Sequence, residues 1–257
     1  MYPEIFRIGG ITIYSYGVMV ALGIVLGYIL LIKISKYRCI SKDFINYLVT
    51  GTVIFGIIGA RIGYVFISFN QFSDRILSIF MFWQGGLVFW GGFIGGGVWI
   101  IYSCIKWNLD ILSVGDILAP GVALAHGVGR IGCFLAGCCY GIPTKIGVSF
   151  THPLSLCPDS IPRHPTQLYT SFFLLILSGV LYLKVKKKGN KTGAVFGLYL
   201  VLYSIFRILI EFLRGDYRGE TLLGFTATQW ISVAGLILGF YLFLRKSEQE
   251  RQYKSRR

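Results

Sequence analysis

The sequence is short of charge. Only 14% of its 257 residues are Asp, Glu, Lys or Arg, 54% are hydrophobic, and the mean hydropathy is +0.67. Soluble domains are nearer about 45–50% apolar and about 25% charged, so a large water-soluble core is excluded. Acidic residues are scarcer still: 11 against 25 basic ones, for a net charge of +14. A charge of that size raises the question of nucleic acid. The Lys and Arg residues lie in short tracts beside apolar runs, which is how membrane topology is written, and this excludes nucleic acid as a partner. The six cysteines, at 39, 104, 133, 138, 139 and 157, fit no secreted disulfide scaffold. The opening MYPEIFRIGG has no basic n-region and no cleavage site, so the first apolar run is expected to stay as a membrane helix. There is no internal repeat and no inverted pair of broken helices of the transporter kind.

What the chain does have is apolar runs of about 20 residues, the length that crosses about 30 Å of hydrocarbon. Seven spans are expected, at 13–32, 44–67, 87–105, 112–138, 168–183, 193–213 and 228–244. The fold class is therefore all-α and polytopic. A single transmembrane domain is expected over 1–244, with an outside loop at 140–167 and a basic cytoplasmic tail at 245–257. The apolar, glycine-broken stretch 79–91 reads as a re-entrant or interfacial piece. Sixteen basic residues fall on one side, in tracts around 33–42, 106, 184–191 and 245–257. Six fall on the other (Arg7, Arg75, Lys145, Arg163, Arg214, Arg218), and Arg61, Arg130 and Arg207 lie inside spans. The alternation puts the N-terminus outside and the C-terminus in the cytoplasm. Tyr2, Trp83 and Trp90 suit anchoring at the outer interface.

Ionisable side chains within a bilayer are costly and usually functional. Here they gather at one depth. Arg61 and Tyr64 fall near the outer end of span two, His126 and Arg130 in the outer half of span four, and Tyr203, Arg207 and Glu211 in the outer part of span six. Tyr16 starts span one, and His164 lies on the outside loop. His126 and Arg130 are four residues apart and share a helix face, as do Tyr203, Arg207 and Glu211. Three span arginines against one clear carboxylate leave excess positive charge. A guanidinium fork matches phosphate, and the abundant anions at this depth are phospholipid headgroups. Structural ion pairing or snorkelling is the competing explanation for any one of these residues. A zinc set of His126, Cys133, Cys138 and Cys139 matches no standard ligand spacing. The cysteines read as apolar filler, and neither metal nor cofactor is expected.

Seven segments resemble one known family. They are HGVGRIGCFLAGCCYG (126–141), YSYGVMVALG (14–23), ARIGYV (60–65), GGLVFWGGFIGG (85–96), RHPTQLY (163–169), FRILIEFLRGD (206–216) and TQWIS (228–232). Together, in this order and across seven spans, they resemble the prolipoprotein diacylglyceryl transferases of the bacterial inner membrane. The resemblance implies transfer of the diacylglyceryl group of phosphatidylglycerol to the lipobox cysteine of a prolipoprotein signal peptide, with glycerol phosphate leaving. By motif position, Arg130 and Arg207 match the family's essential arginines. Tyr16, Arg61, Tyr64, Gly141, Tyr203 and Glu211 fall on positions lining the site. Two positions depart from the pattern: many members have a histidine where this chain has Trp90, and an asparagine where it has Cys133.

In that reaction the nucleophile is the substrate's thiol, which reacts as thiolate. Arg130 and Arg207 would stabilise it and the leaving phosphate. With Trp90 unable to take a proton, His126 or His164 is left for that task, His126 being the better placed. Alternatively the arginine field suffices, and His126 only hydrogen-bonds within its helix. A paralogue with another lipid donor or acceptor, a carrier of anionic lipid and a non-catalytic scaffold are the alternative functions.

Overall fold

The computed structural model describes residues 2–8, 11–69, 72, 76–81, 85–155, 157, 159–187, 189–216 and 223–244. Trp83, Arg75, Arg218, Lys188 and the basic tail at 245–257 lie outside these residues. Among the described residues the architecture is helical, with two small hairpins. Strands β1 (Glu4–Ile8) and β2 (Ile11–Tyr14) pair antiparallel and run straight into α1 (Ser15–Ser35). Then come α2 (Lys42–Ile67), a 3₁₀ turn (Ile76–Phe80), α3 (Phe89–Lys106) and α4 (Ile111–Ala136). Strands β3 (Pro143–Phe150) and β4 (Asp159–Arg163) form the second hairpin. Helices α5 (Thr166–Lys186), α6 (Ala194–Glu211) and α7 (Ala227–Leu244) complete the order.

Six of these helices are long and apolar enough to cross a membrane; α3 is not among them, its hydropathy diluted by five glycines. The expected spans match helices to within a few residues, and the differences have local causes. The first helix starts at Ser15 rather than 13, because Ile11–Tyr14 is held as strand by β1. The fourth ends at Ala136, because Gly137 turns left-handed with φ +71°. The segment expected as an outside loop, 140–167, holds the β3–β4 hairpin. The 79–91 stretch holds the end of the 3₁₀ turn and the start of α3.

The chain divides into two compact units, Met1–Tyr37 with Gly115–Arg257, and Arg38–Val114. In the larger unit, helices meet through small residues. A Cβ on Gly23 would lie 2.6 Å from the Ala125 carbonyl oxygen, and one on Gly27 2.9 Å from that of Gly121, so α1 lies directly on α4. Lipid offers no hydrophobic drive between helices, so close backbone approach must supply the contact. Gly197 and Gly239 seat α6 on α7 in the same way. At the end of this unit where α6 begins, the fully buried Asp116 of α4 accepts from the backbone N–H groups of Gly193, Val195 and Phe196, at 2.9, 3.0 and 2.9 Å. A carboxylate there satisfies orphan donors and the helix dipole together. The smaller unit is built on α2 and α3, whose backbones touch at Gly59, Gly91 and Gly95.

Candidate active site

Within the larger unit, five segments converge at one end: the start of α1, the end of α4, the start of α5, the end of α6 and the start of α7. Three contacts draw them together. Gly132 of α4 faces Tyr16, with a Cβ there 3.2 Å from the Tyr16 Cα. The Thr166 hydroxyl at the start of α5 donates to the Cys139 carbonyl at 2.7 Å. The Thr226 hydroxyl, just before α7, donates to Glu211 Oε1 at 2.8 Å.

Arg207 and Glu211 form the buried ion pair that their spacing suggests. Arg207 Nη1 lies 2.5 Å from Glu211 Oε2, and both side chains are almost fully enclosed. Glu211 thus accepts from a guanidinium on one oxygen and from Thr226 on the other. Thr226 is itself part of a capping box on α7: its N–H donates to Gln229 Oε1 at 2.9 Å and its Oγ1 accepts from the Gln229 N–H at 3.4 Å. Sequence reasoning missed Thr226 and the capping role of Gln229, which lies in the TQWIS segment, although the Thr-x-x-Gln spacing before an apolar run is a readable signal.

Arg130 is placed differently. Its Nε–H donates to His126 Nε2 at 3.1 Å, one turn back on α4. That bond needs a lone pair on Nε2, so His126 is neutral with its proton on Nδ1. The His126 ring stands edge-on to Tyr203, centroids 5.7 Å apart. Among the described residues, no hydrogen-bond partner meets the four terminal N–H groups of Arg130, and no carboxylate pairs with it. Arg214 is satisfied instead by Asp216, bidentate at 2.7 and 2.6 Å. The Arg207 and Arg214 charges are therefore each answered, and that of Arg130 is not.

Gly141 is a junction and has no room for a side chain. Its N–H donates to the His164 carbonyl at 2.9 Å, and a Cβ would lie 2.6 Å from the Leu213 oxygen and 2.7 Å from His164 Cβ. It holds the end of α6, and with it Arg214, against the turn that follows α4. His164 places its Nδ1 3.3 Å from the Tyr169 hydroxyl. Beyond α4, the Cys139 thiol is held well below the usual thiol range. The neighbouring Cys133 and Cys138 thiols are the main cause, and the Arg214 and Arg130 guanidiniums add to it.

Arg61 and Tyr64 belong to the smaller unit. The Arg61 guanidinium is enclosed by backbone carbonyls: Nε to Ile79 at 2.7 Å, Nη1 to Gly85 and Gly86 at 2.7 and 3.2 Å, and Nη2 to Ser78 at 2.5 Å. Four of its five donors are engaged, which leaves little for a phosphate. The Tyr64 ring lies under the same guanidinium, at 5.6 Å, and fills the space a side chain at Gly86 would need. Both residues anchor the approach to α3. On α3 itself, Trp90 is half exposed and packs edge-on against Phe89 and Phe93.

The family model for prolipoprotein diacylglyceryl transferase matches residues 3–245. The chain is 42% identical over 245 residues to the phosphatidylglycerol–prolipoprotein diacylglyceryl transferase of Clostridium tetani, covering 95% of this chain and 97% of that one. It is 38% identical over 238 residues to the second such enzyme of Clostridium perfringens, with 92% of each chain covered. The enzyme of that name from Finegoldia magna is 34% identical over 248 residues, with 95% of each covered.

Proposed function

The chain belongs to the prolipoprotein diacylglyceryl transferase family, and from that premise we propose that it moves the diacylglyceryl group of phosphatidylglycerol onto the lipobox cysteine of a prolipoprotein. The carbon–oxygen bond between the diacylglyceryl group and the phosphate breaks. A thioether forms at that carbon, and glycerol phosphate leaves with the bonding electrons. The thiol proton passes to the leaving phosphate or to solvent. The protein is a multi-pass membrane enzyme. In this reading it sits in the bacterial inner membrane with the N-terminus outside, and the arginine end of the larger unit faces the outer leaflet.

The observation that carries the reading is Arg130, a half-buried guanidinium whose four terminal N–H groups meet no hydrogen-bond partner and no carboxylate among the described residues. It binds the headgroup phosphate as a fork. Arg207 adds charge from α6, and Glu211 with Thr226 holds it in place. Preorganised donors in low dielectric stabilise both the leaving phosphate and the attacking thiolate. Tyr16 and Tyr203, flanking Arg130 and His126, line the lipid's path, and His164 lies at its margin. His126 is assigned as a positioning residue. Its Nε2 lone pair is occupied by Arg130, which orients the guanidinium and leaves no free site for the thiol's proton. Gly141, Arg61 and Tyr64 act through the backbone they hold.

The test uses the purified protein in phosphatidylglycerol vesicles with a synthetic lipobox peptide. The peptide should gain the mass of one diacylglyceryl group, and a cysteine-to-serine peptide should gain none. A folded protein that adds no mass with phosphatidylglycerol but does so with another phospholipid would overturn the donor assignment. The half-exposed Trp90 makes that second donor the alternative to try.

A further inference from the structure

The three cysteines of the HGVGRIGCFLAGCCYG segment have no part in the transfer chemistry, yet the fold gathers them. Helix α4 closes through Gly137 N–H to the Phe134 carbonyl at 3.2 Å and Cys138 N–H to the Cys133 carbonyl at 3.1 Å. This reversal lays Cys138 back over Cys133. Cys139 then takes φ +62°, a left-handed conformation that costs a residue with a Cβ about 1–2 kcal/mol. Two fully buried side chains of α5 hold the turn there. Gln167 Nε2 donates to the Cys138 carbonyl at 2.6 Å, and Thr166 Oγ1 to that of Cys139 at 2.7 Å. As a result the Sγ atoms of Cys133, Cys138 and Cys139 all lie within 4.8 Å of one another. None of them is in a disulfide. The fully buried Phe150 covers the turn, packing on Phe134 and Tyr140.

We propose that Cys133, Cys138 and Cys139 form a three-thiolate binding site for a soft metal ion such as Zn²⁺. Zinc–sulfur bonds of about 2.3 Å in a tetrahedron set the sulfurs about 3.8 Å apart, so inward shifts of about 1 Å or less close the site. Small χ1 adjustments supply such shifts. Three protein ligands leave a fourth position open. The ion replaces the thiol protons, which pass to the buffer. Zinc with three thiolates carries a single negative charge, and the neighbouring cations are Arg130 and Arg214. His126, whose sequence position suggests a fourth ligand, is not in the cluster; its Nε2 is held by Arg130.

The binding test does not depend on the transferase reading. Full-length protein, reduced and in detergent, is titrated with Cd²⁺ as a probe. Thiolate-to-cadmium charge-transfer absorption should appear and saturate at one ion per chain. C133S, C138S and C139S should each weaken binding by about tenfold or more, while C39S and C104S leave it unchanged. In the unsubstituted protein, Cd²⁺ should protect residues 133, 138 and 139 from maleimide, read by peptide mapping, and leave Cys39 labelled. Absence of the band from folded, reduced protein would overturn the site. So would a band that survives the C133S/C138S/C139S triple variant, or protection confined to other cysteines.

Discussion

Removing Arg130 and removing Arg207 should both cut diacylglyceryl transfer steeply, and only the second should strongly destabilise the fold. Arg130 makes one hydrogen bond to a neutral imidazole, at 3.1 Å. Losing such a bond costs about 0.5–1.5 kcal/mol. Arg207 is half of a buried ion pair at 2.5 Å, and its loss strands the Glu211 carboxylate. Breaking a buried pair from one side costs about 3–5 kcal/mol. For a chain of this size, about 2–4 °C of melting temperature follows each kcal/mol. R130A should therefore lower the melting temperature by about 1–6 °C, and R207A by about 6–20 °C. The catalytic losses should be alike, because both remove a donor aimed at developing charge, worth about 10²–10³ in rate. R130K sharpens the case: it keeps the charge and loses the fork, and should still lose about 10²-fold. Melting is followed by tryptophan fluorescence in detergent, and transfer by peptide mass in vesicles. The assignment fails if R130A melts as low as R207A, or if R130A keeps more than about a tenth of wild-type kcat/KM.

Four further predictions follow from the same contacts. H126Q offers an amide oxygen to the Arg130 Nε–H and should keep transfer within a few-fold with an unchanged pH profile, whereas H126L should lose about tenfold; a large loss of rate in H126Q together with disappearance of the fall in activity at low pH would restore the histidine as base. T226V removes the hydroxyl that donates to Glu211, a charge-assisted bond worth about 1.5–3 kcal/mol, and should lower the melting temperature and couple non-additively to E211Q in a double-mutant cycle. G141A forces a Cβ to within 2.7 Å of three atoms, and should destabilise by about 1–3 kcal/mol. D116N turns an amide donor toward backbone N–H groups that need an acceptor, and should cost about 2–3 kcal/mol in melting experiments while sparing activity per folded molecule. Its distance protects the site: 14 residues along α4 from Arg130 is about 21 Å.

The parts of this structure legible in the sequence are those written locally. Helix positions follow from apolar runs, and the Arg207–Glu211 and His126–Arg130 contacts follow from four-residue spacing. Illegible parts depend on partners far along the chain. Asp116 looks like an isolated acid near the start of a span, and its meaning comes from N–H groups 77 to 80 residues away. The cysteine turn looks like apolar filler until Thr166 and Gln167, 27 and 29 residues on, fix its carbonyls. The opening hairpin escaped notice because Ile11–Tyr14 is as apolar as the helix that follows.

Charge balance shows how such distant partners change the chemistry inferred. Counted along the sequence, Arg61, Arg130 and Arg207 face one carboxylate, and each looks equally fit to hold a phosphate. In the folded chain they separate. Arg61 directs its donors at four carbonyls, a backbone clasp that needs a cation but offers it to no ligand. Arg207 is neutralised by Glu211 and can assist an anion only while sharing that carboxylate. Arg214, which the count left at the margin, is neutralised by Asp216. Among the described residues, Arg130 is the span arginine that no carboxylate pairs with, beside a histidine that orients it. An anion entering this end of the unit meets one free fork, and the paired arginines add field without competing for its position. That asymmetry favours a bound phosphate with a single defined orientation, which directional attack on the carbon beside it requires.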